Sequence, residues 1–257
     1  METKPVLILA DLQWPNINPV LLYNVERYMA SRIWYAVIYL GDMLDMDAIS
    51  HHAMEAQDLR DLEKKRLKQS YEEFSNVLRR HRKIVGKKCQ MYYFMGNHEE
   101  WADRLVDKVP GIEGLIEVAY NLPFTELNIK TIWYRDFLKL GKVVFIHGDI
   151  QKGSYTPVNV AKKIVEIYNR NIVVGHYHTL QAYTKISPQG IDETHTAYII
   201  PCLADTKPDW SKGQPTRWIN GFAVYYWTDD AFSVIPVVSA KNGTFISPEG
   251  KFYGINK

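Results

Sequence analysis

The chain has 257 residues, with 31 lysines and arginines against 29 acidic residues, so its formal charge of +2 gives no global argument for nucleic acid, membrane surface or acidic partners. Hydrophobic residues at 46% and charged residues at 23% exclude a disordered chain, a collagen-like repeat and a coiled-coil rod. Apolar runs such as residues 6–10, 35–40, 91–95 and 143–146 fall far short of the roughly 20 residues a membrane helix needs. Met1-Glu2-Thr3-Lys4-Pro5 has no signal-peptide pattern, so a cytoplasmic protein with no membrane partner is expected. Cys89 and Cys202 form no CxxC pair and read as buried, reduced thiols.

Short runs rich in Val, Ile and Tyr at 5–10, 35–40, 90–95, 143–146 and 172–174, each closed by Gly, Asp or His, predict buried strands. Helical spacing at 19–33 and 58–84 separates the first three, which is the alternation of an α/β fold. Residues 133–140 and 142–146 flank Gly141 as a hairpin, so antiparallel pairing is expected to begin there. A helix at 157–168 follows, and 181–186, 195–201, 221–227 and 233–238 read as further strands. Without repeats or a long linker, the expected organisation is one domain over 1–257 built from two packed sheets. It would carry a helical insertion at about 47–88 and be mostly β from about 131.

The residues just after these strands share one chemical flavour. They are Asp11-Leu12-Gln13, Gly41-Asp42-Met43-Leu44-Asp45, Gly96-Asn97-His98-Glu99, His147-Gly148-Asp149 and Gly175-His176-Tyr177-His178. Open α/β sheets place their sites at strand carboxyl ends, because the loops there converge while the strands hold them rigidly. Four of the eight histidines fall in these segments, while His51, His52, His81 and His195 do not and read as surface or core residues.

In order, these segments resemble the calcineurin-like metallophosphoesterase family, whose pattern is D-x-H, GDxxD, GNH(E/D), H and GHxH. The match covers residues 11 to 178 and holds in four motifs of five; the layout is more loosely similar to compact phage-encoded members. The resemblance implies a four-layer α/β/β/α sandwich with two mixed β-sheets. It further implies that Asp11, Gln13, Asp42 and His178 surround one metal, with Asp42 bridging to a second held by Asn97, His147 and His176. His98 would be the catalytic histidine, oriented by Asp45; a helix cap is the alternative role for Asp45.

Carboxylate, amide and imidazole donors without thiolate suit two divalent ions, Mn²⁺ first, with Fe, Zn²⁺, Ni²⁺, Co²⁺ or Mg²⁺ as alternatives. Two such ions, about 3.5–4 Å apart, bring a bridging water toward a pKa of about 7 and set it for in-line attack on a phosphoester. Gln13 departs from the pattern, since an amide stands where imidazole is usual, and predicts weaker or differently selective binding at its site. Met46 and Asp47 stand where phosphoprotein phosphatases continue with Arg-Gly, which puts phosphodiesterases and nucleases ahead.

Outside these motifs, the basic block Arg79, Arg80, His81, Arg82, Lys83, Lys87 and Lys88 is suited to a polyphosphate, but a solvated helix carboxyl end is the favoured reading. Trp210, Lys212, Arg217 and Trp218 suit stacking a base and pairing a phosphate, or core packing. Lys152, Ser154 and Tyr155 lie close enough after His147 to meet a phosphate, and Asn242-Gly243-Thr244 reads as a turn. The expected function is a dinuclear metal-dependent phosphodiesterase or nuclease acting on nucleic acid or nucleotides. Alternatives are a phosphomonoesterase on small molecules or phosphoproteins, and a non-catalytic interaction module like the retromer scaffold subunit that resembles this fold.

Overall fold

The computed structural model describes residues 2–49, 67–148, 158–186, 194–207 and 216–254. Strands β1 (Lys4–Leu9), β2 (Ala36–Tyr39), β3 (Gln90–Phe94) and β4 (Ile129–Ile132) run parallel, and β10 (Gly221–Trp227) and β11 (Phe232–Val238) extend the sheet antiparallel beyond β1. A second sheet has β6 (Val143–Ile146), β7 (Asn171–Val174) and β9 (His195–Ile199) parallel at its centre. Its edges, β5 (Leu138–Leu140) and β8 (Gln181–Lys185), are antiparallel.

Strand side chains alternate, so each strand feeds two layers. Val6, Ile8, Ala36, Ile38 and Phe94 point inward against Val143, Phe145 and Val173 of the second sheet. Leu7, Leu9, Val37, Tyr39, Met91 and Tyr93 point outward against helices α1 (Pro19–Met29) and α2 (Leu67–Val85). On the other outer face Val144, Ile146, Ile172 and Val174 bury against Val160, Ala161, Ile164 and Val165 of a later helix, Val160–Tyr168. The result is the four-layer α/β/β/α sandwich, and strands covered on both faces read as continuous apolar runs for that reason. Tyr225 ties the sheets directly: its ring meets Phe145 edge-on at 5.4 Å and its hydroxyl donates to the carbonyl of Leu140 at 2.8 Å.

Helix α1 starts where Asn18 accepts the Leu21 N–H at 3.0 Å and Pro19 fills the first turn. Helix α2 covers the later part of the predicted 58–84; residues 58–66 lie outside the described residues, as does Pro157 at the start of the predicted 157–168 helix. Residues 129–146 correct the sequence expectation. Ile129–Ile132 pairs parallel with β3 in the first sheet, Trp133–Asp136 is a turn, and only Leu138–Leu140 joins β6 in the hairpin. Helix α3 (Asn97–Lys108), a short helix α4 (Val118–Asn121) and the hairpin of β12 (Phe245–Ile246) with β13 (Phe252–Tyr253) were not expected from sequence; the helix Val160–Tyr168 is α5. No helix among the described residues is long and apolar enough to cross a membrane.

Candidate metal centre

The carboxyl ends of β1, β2, β3, β6 and β7 converge on one edge of the sandwich. The first two loops stay paired beyond their strands: the Asp11, Gln13 and Trp14 N–H groups donate to the carbonyls of Gly41, Asp42 and Met43 at 3.1, 3.0 and 2.9 Å. Asp11, Gln13, Asp42, His176 and His178 all hold a left-handed backbone, with φ from 50° to 67°. Each such non-glycine residue costs on the order of 1–3 kcal/mol and persists only where its surroundings hold it. Two motif glycines have a steric reason: a Cβ on Gly41 would enter the His147 ring, and one on Gly96 would enter the Asp42 carboxylate.

Asp42 Oδ2 lies 3.2 Å from His147 Nε2, and Asn97 Oδ1 lies 3.0 Å from the same nitrogen. His147 Nδ1 faces the Leu40 carbonyl at 2.9 Å, so Nδ1 donates there and Nε2, once it gives up its proton, is the nitrogen that can offer a lone pair. Asp11 accepts the His176 N–H on both oxygens, at 3.0 and 2.9 Å, and lies 3.1 Å from His178 Nε2. Ligand atoms of Asp42, His147 and His176 lie within 4.8 Å of one another, and so do those of Asp11, Asp42 and His178. Asp42 belongs to both groups.

The donor set fits divalent cations. Asp11, Asp42, His147 and His178 are buried, yet His176 Nδ1 and His178 Nδ1 have no hydrogen-bond partner, an arrangement that costs free energy in the absence of a ligand. Burial raises the Asp42 carboxyl, but the His147 and His98 rings outweigh it and hold the group well below the usual carboxylate range. Burial lowers His147, and the Asp42 carboxylate more than offsets it, lifting the ring to about 10. Burial and the neighbouring His147 push His176 down to about 4. A cation binding Nε2 of His147 therefore competes with a proton.

Gln13 is buried, with Nε2 3.5 Å from His178 Nε2. Rotation about its terminal bond exchanges Nε2 for the carbonyl oxygen, so the side chain can present a neutral oxygen donor beside His178. His98 opens α3. Its N–H donates to Asp42 Oδ1 at 3.0 Å, its Nε2 is 3.8 Å from Asp42 Oδ2, and the Trp101 ring stacks on it at 4.1 Å. The atom within hydrogen-bond reach of His98 Nδ1 is the main-chain carbonyl of Asp45, at 2.5 Å; the Asp45 carboxylate is 3.7 Å away and accepts from Asn16. All the metal-site residues named from sequence thus meet in one cluster, and Asp45 reaches it through its backbone.

Glu99 has a part that motif reading did not assign. Its buried carboxylate accepts the N–H groups of Asp42, Met43 and Gly96. The signal was available, since Glu99 is the fourth residue of the third motif and three residues past Gly96, a helix-start spacing.

The basic block belongs to the fold. Arg79 pairs with Glu126, Arg80 with Glu26, and His81 is buried between Tyr39 and Glu26. Arg82 donates to the carbonyls of Cys89 and Leu127, just before β3 and β4 and away from the motif loops, while Lys83, Lys87 and Lys88 are exposed. Trp218 meets His178 at 4.1 Å in an edge contact, and Arg217 is exposed beside it. Asn242–Thr244 is a turn closed by the Gly243 N–H on the Ala240 carbonyl at 2.9 Å, and both cysteines are buried and free. His51, His52, Asp149, Lys152, Ser154, Tyr155, Trp210 and Lys212 lie outside the described residues.

No family model and no curated protein matches the sequence. Among solved structures, the chain is similar to vacuolar protein sorting 29 from Cryptosporidium parvum at 13% identity and a TM-score of 0.48, covering 98% of this chain and 95% of that one. It is similar to wild-type Vps29 complexed with Zn²⁺ from Entamoeba histolytica at 9% identity and a TM-score of 0.43, over 96% and 95% of the chains. It is similar to the nuclease MPE of Pseudomonas putida at 14% identity and a TM-score of 0.35, over 90% and 87%. Two mixed sheets with outer helices, and the motif loops gathered at their carboxyl edge, make this chain a four-layer α/β/β/α sandwich with its candidate site at that edge.

Proposed function

We propose that the protein is a dinuclear metal-dependent phosphoesterase acting on phosphodiesters, nucleic acid or nucleotides first. The observation that carries this reading is that Asp42 belongs to two ligand groups at once. Asp11, Asp42 and His178, with Gln13 beside them, would hold one cation; Asp42, His147 and His176, with Asn97, would hold the other. Bound there, two divalent cations polarise phosphoryl oxygens and acidify water to a pKa of about 7.

His98 is the protein's own acid. With Nδ1 donating to the Asp45 carbonyl, Nε2 is left on the Asp42 side of the ring. Burial lowers the His98 pKa, and the carboxylates of Asp42 and Asp45 more than offset this, so the imidazolium is favoured and can give its Nε2 proton to a leaving alkoxide. Trp101 holds the ring plane by stacking. Trp218, half-buried against His178, adds an aromatic wall of the kind on which a nucleobase stacks, and this favours a nucleotide diester over a bare phosphate.

Gln13 favours a second reading, a non-catalytic interaction module, because an amide weakens one ligand group. His98 beside Asp42 weighs against it, since a scaffold needs no proton donor there. Hydrolysis of bis(p-nitrophenyl) phosphate and of the monoester, with and without Mn²⁺, separates the readings. Mn²⁺-dependent cleavage with the diester faster supports the proposal; a faster monoester makes it a phosphomonoesterase, and no turnover of either defeats the enzyme reading.

A further inference from the structure

We propose that Glu99, which offers no atom to either ligand group, is the positioning residue of the metal centre: it locks the Asp42 loop to the start of α3 and so aims the shared carboxylate. The inference rests on the metal reading above. Glu99 Oε1 accepts the Met43 N–H at 2.8 Å, the Leu44 N–H at 3.3 Å and the Tyr93 hydroxyl at 2.9 Å. Its Oε2 accepts the N–H groups of Asp42 at 3.0 Å and Gly96 at 2.8 Å. Three successive loop amides therefore turn inward on one buried carboxylate, an anion nest filled from within the chain.

Asp42 returns the contact. Its Oδ1 takes the His98 N–H at 3.0 Å, which leaves Oδ2 turned to His147 at 3.2 Å. Two carboxylates thus cross between the second and third motif loops in opposite directions, and the left-handed backbone of Asp42, φ 51°, is held between them. The chemistry demands a carboxylate of this length. Every partner of Glu99 is a donor, so a glutamine would set its own NH₂ against N–H groups, and an aspartate, shorter by one methylene, would not span both loops.

A brace that only stabilised the fold would behave like Glu117, a buried carboxylate that accepts the Gly114 and Ile116 N–H groups outside the motif loops. The test is Mn²⁺ titration calorimetry with thermal unfolding on wild type, Glu99→Gln, Glu99→Asp and Glu117→Gln. We expect both Glu99 variants to bind Mn²⁺ at least about tenfold more weakly, the range for residues that orient ligands. Glu117→Gln should lower the unfolding temperature and leave affinity at the wild-type value. Folded Glu99 variants that bind Mn²⁺ as wild type does, or a Glu117→Gln that weakens binding as much, overturn the inference while leaving the metal reading intact. Should Glu99→Gln fail to fold, Glu99→Asp decides. A wild type that takes up no Mn²⁺ overturns the metal reading and this inference with it.

Discussion

Asp42 Oδ2 stands 3.2 Å from His147 Nε2, and across that gap the end of β2 in one sheet meets the end of β6 in the other. The distance is set by how the two sheets pack, through Phe145, Ile38 and Val173 in the shared core. Site geometry is therefore a property of the sandwich, and substitutions at the motif loops should separate into those that remove chemistry and those that misplace it.

Removing the His98 imidazole takes away the proposed proton donor, which is not a candidate ligand. His98→Ala should lower kcat on bis(p-nitrophenyl) phosphate by about 10²- to 10⁴-fold, while Mn²⁺ titration of the same variant gives the wild-type stoichiometry.

Gln13 sits beside His178 with an amide where an imidazole would bind more strongly. Gln13→His should tighten the weaker of two Mn²⁺ binding steps by about tenfold. Two equally tight steps in wild type, unchanged by the substitution, would show that Gln13 is no ligand.

Gly41 combines φ of 87° with contact against the His147 ring. Gly41→Ala should cost about 2–4 kcal/mol, combining left-handed strain with overpacking, read as a lower denaturant midpoint at unchanged slope.

Asp103, half-buried on α3, is pushed up to about 6 by burial and then by the nearby carboxylates of Glu100, Glu117 and Asp107. Its folded value lies above the unfolded one, so the charged form opposes folding. Stability tied to this group is greatest below about pH 4 and is lost as pH rises through about 6. Asp103→Asn should therefore stabilise the protein at pH 7, by about 1 kcal/mol after allowance for solvent screening, and leave it unchanged near pH 3. Chemical denaturation at the two pH values checks the sign.

The motif loops were legible in the sequence because buried parallel strands are apolar to their last residue, so a following Asp, Asn or His stands out. Strand β4 was not: Ile129-Lys130-Thr131-Ile132 is short and half polar, as an edge strand is, and its pairing with β3 depends on distant residues. The spacing of Asp42 and Asp45 named both residues, yet it could not say that Asp45 meets His98 through its carbonyl, because that is decided by the loop backbone. Glu99 was hidden for a related reason. Its reach to the Asp42 loop exists only once a helix begins at Asn97 and turns the side chain back. The basic block at 79–88 carried a charge signal that the fold spends on Glu26, Glu126 and carbonyls at a strand's start.

In the proposed centre one carboxylate, that of Asp42, serves two cations. Metal analysis of wild type and Asp42→Asn after equilibration with Mn²⁺ and removal of free metal tests it most directly. Wild type should hold two ions per chain, and the variant none or at most one weakly held ion. A folded Asp42→Asn that still holds two ions, or a wild type that holds none, would contradict it.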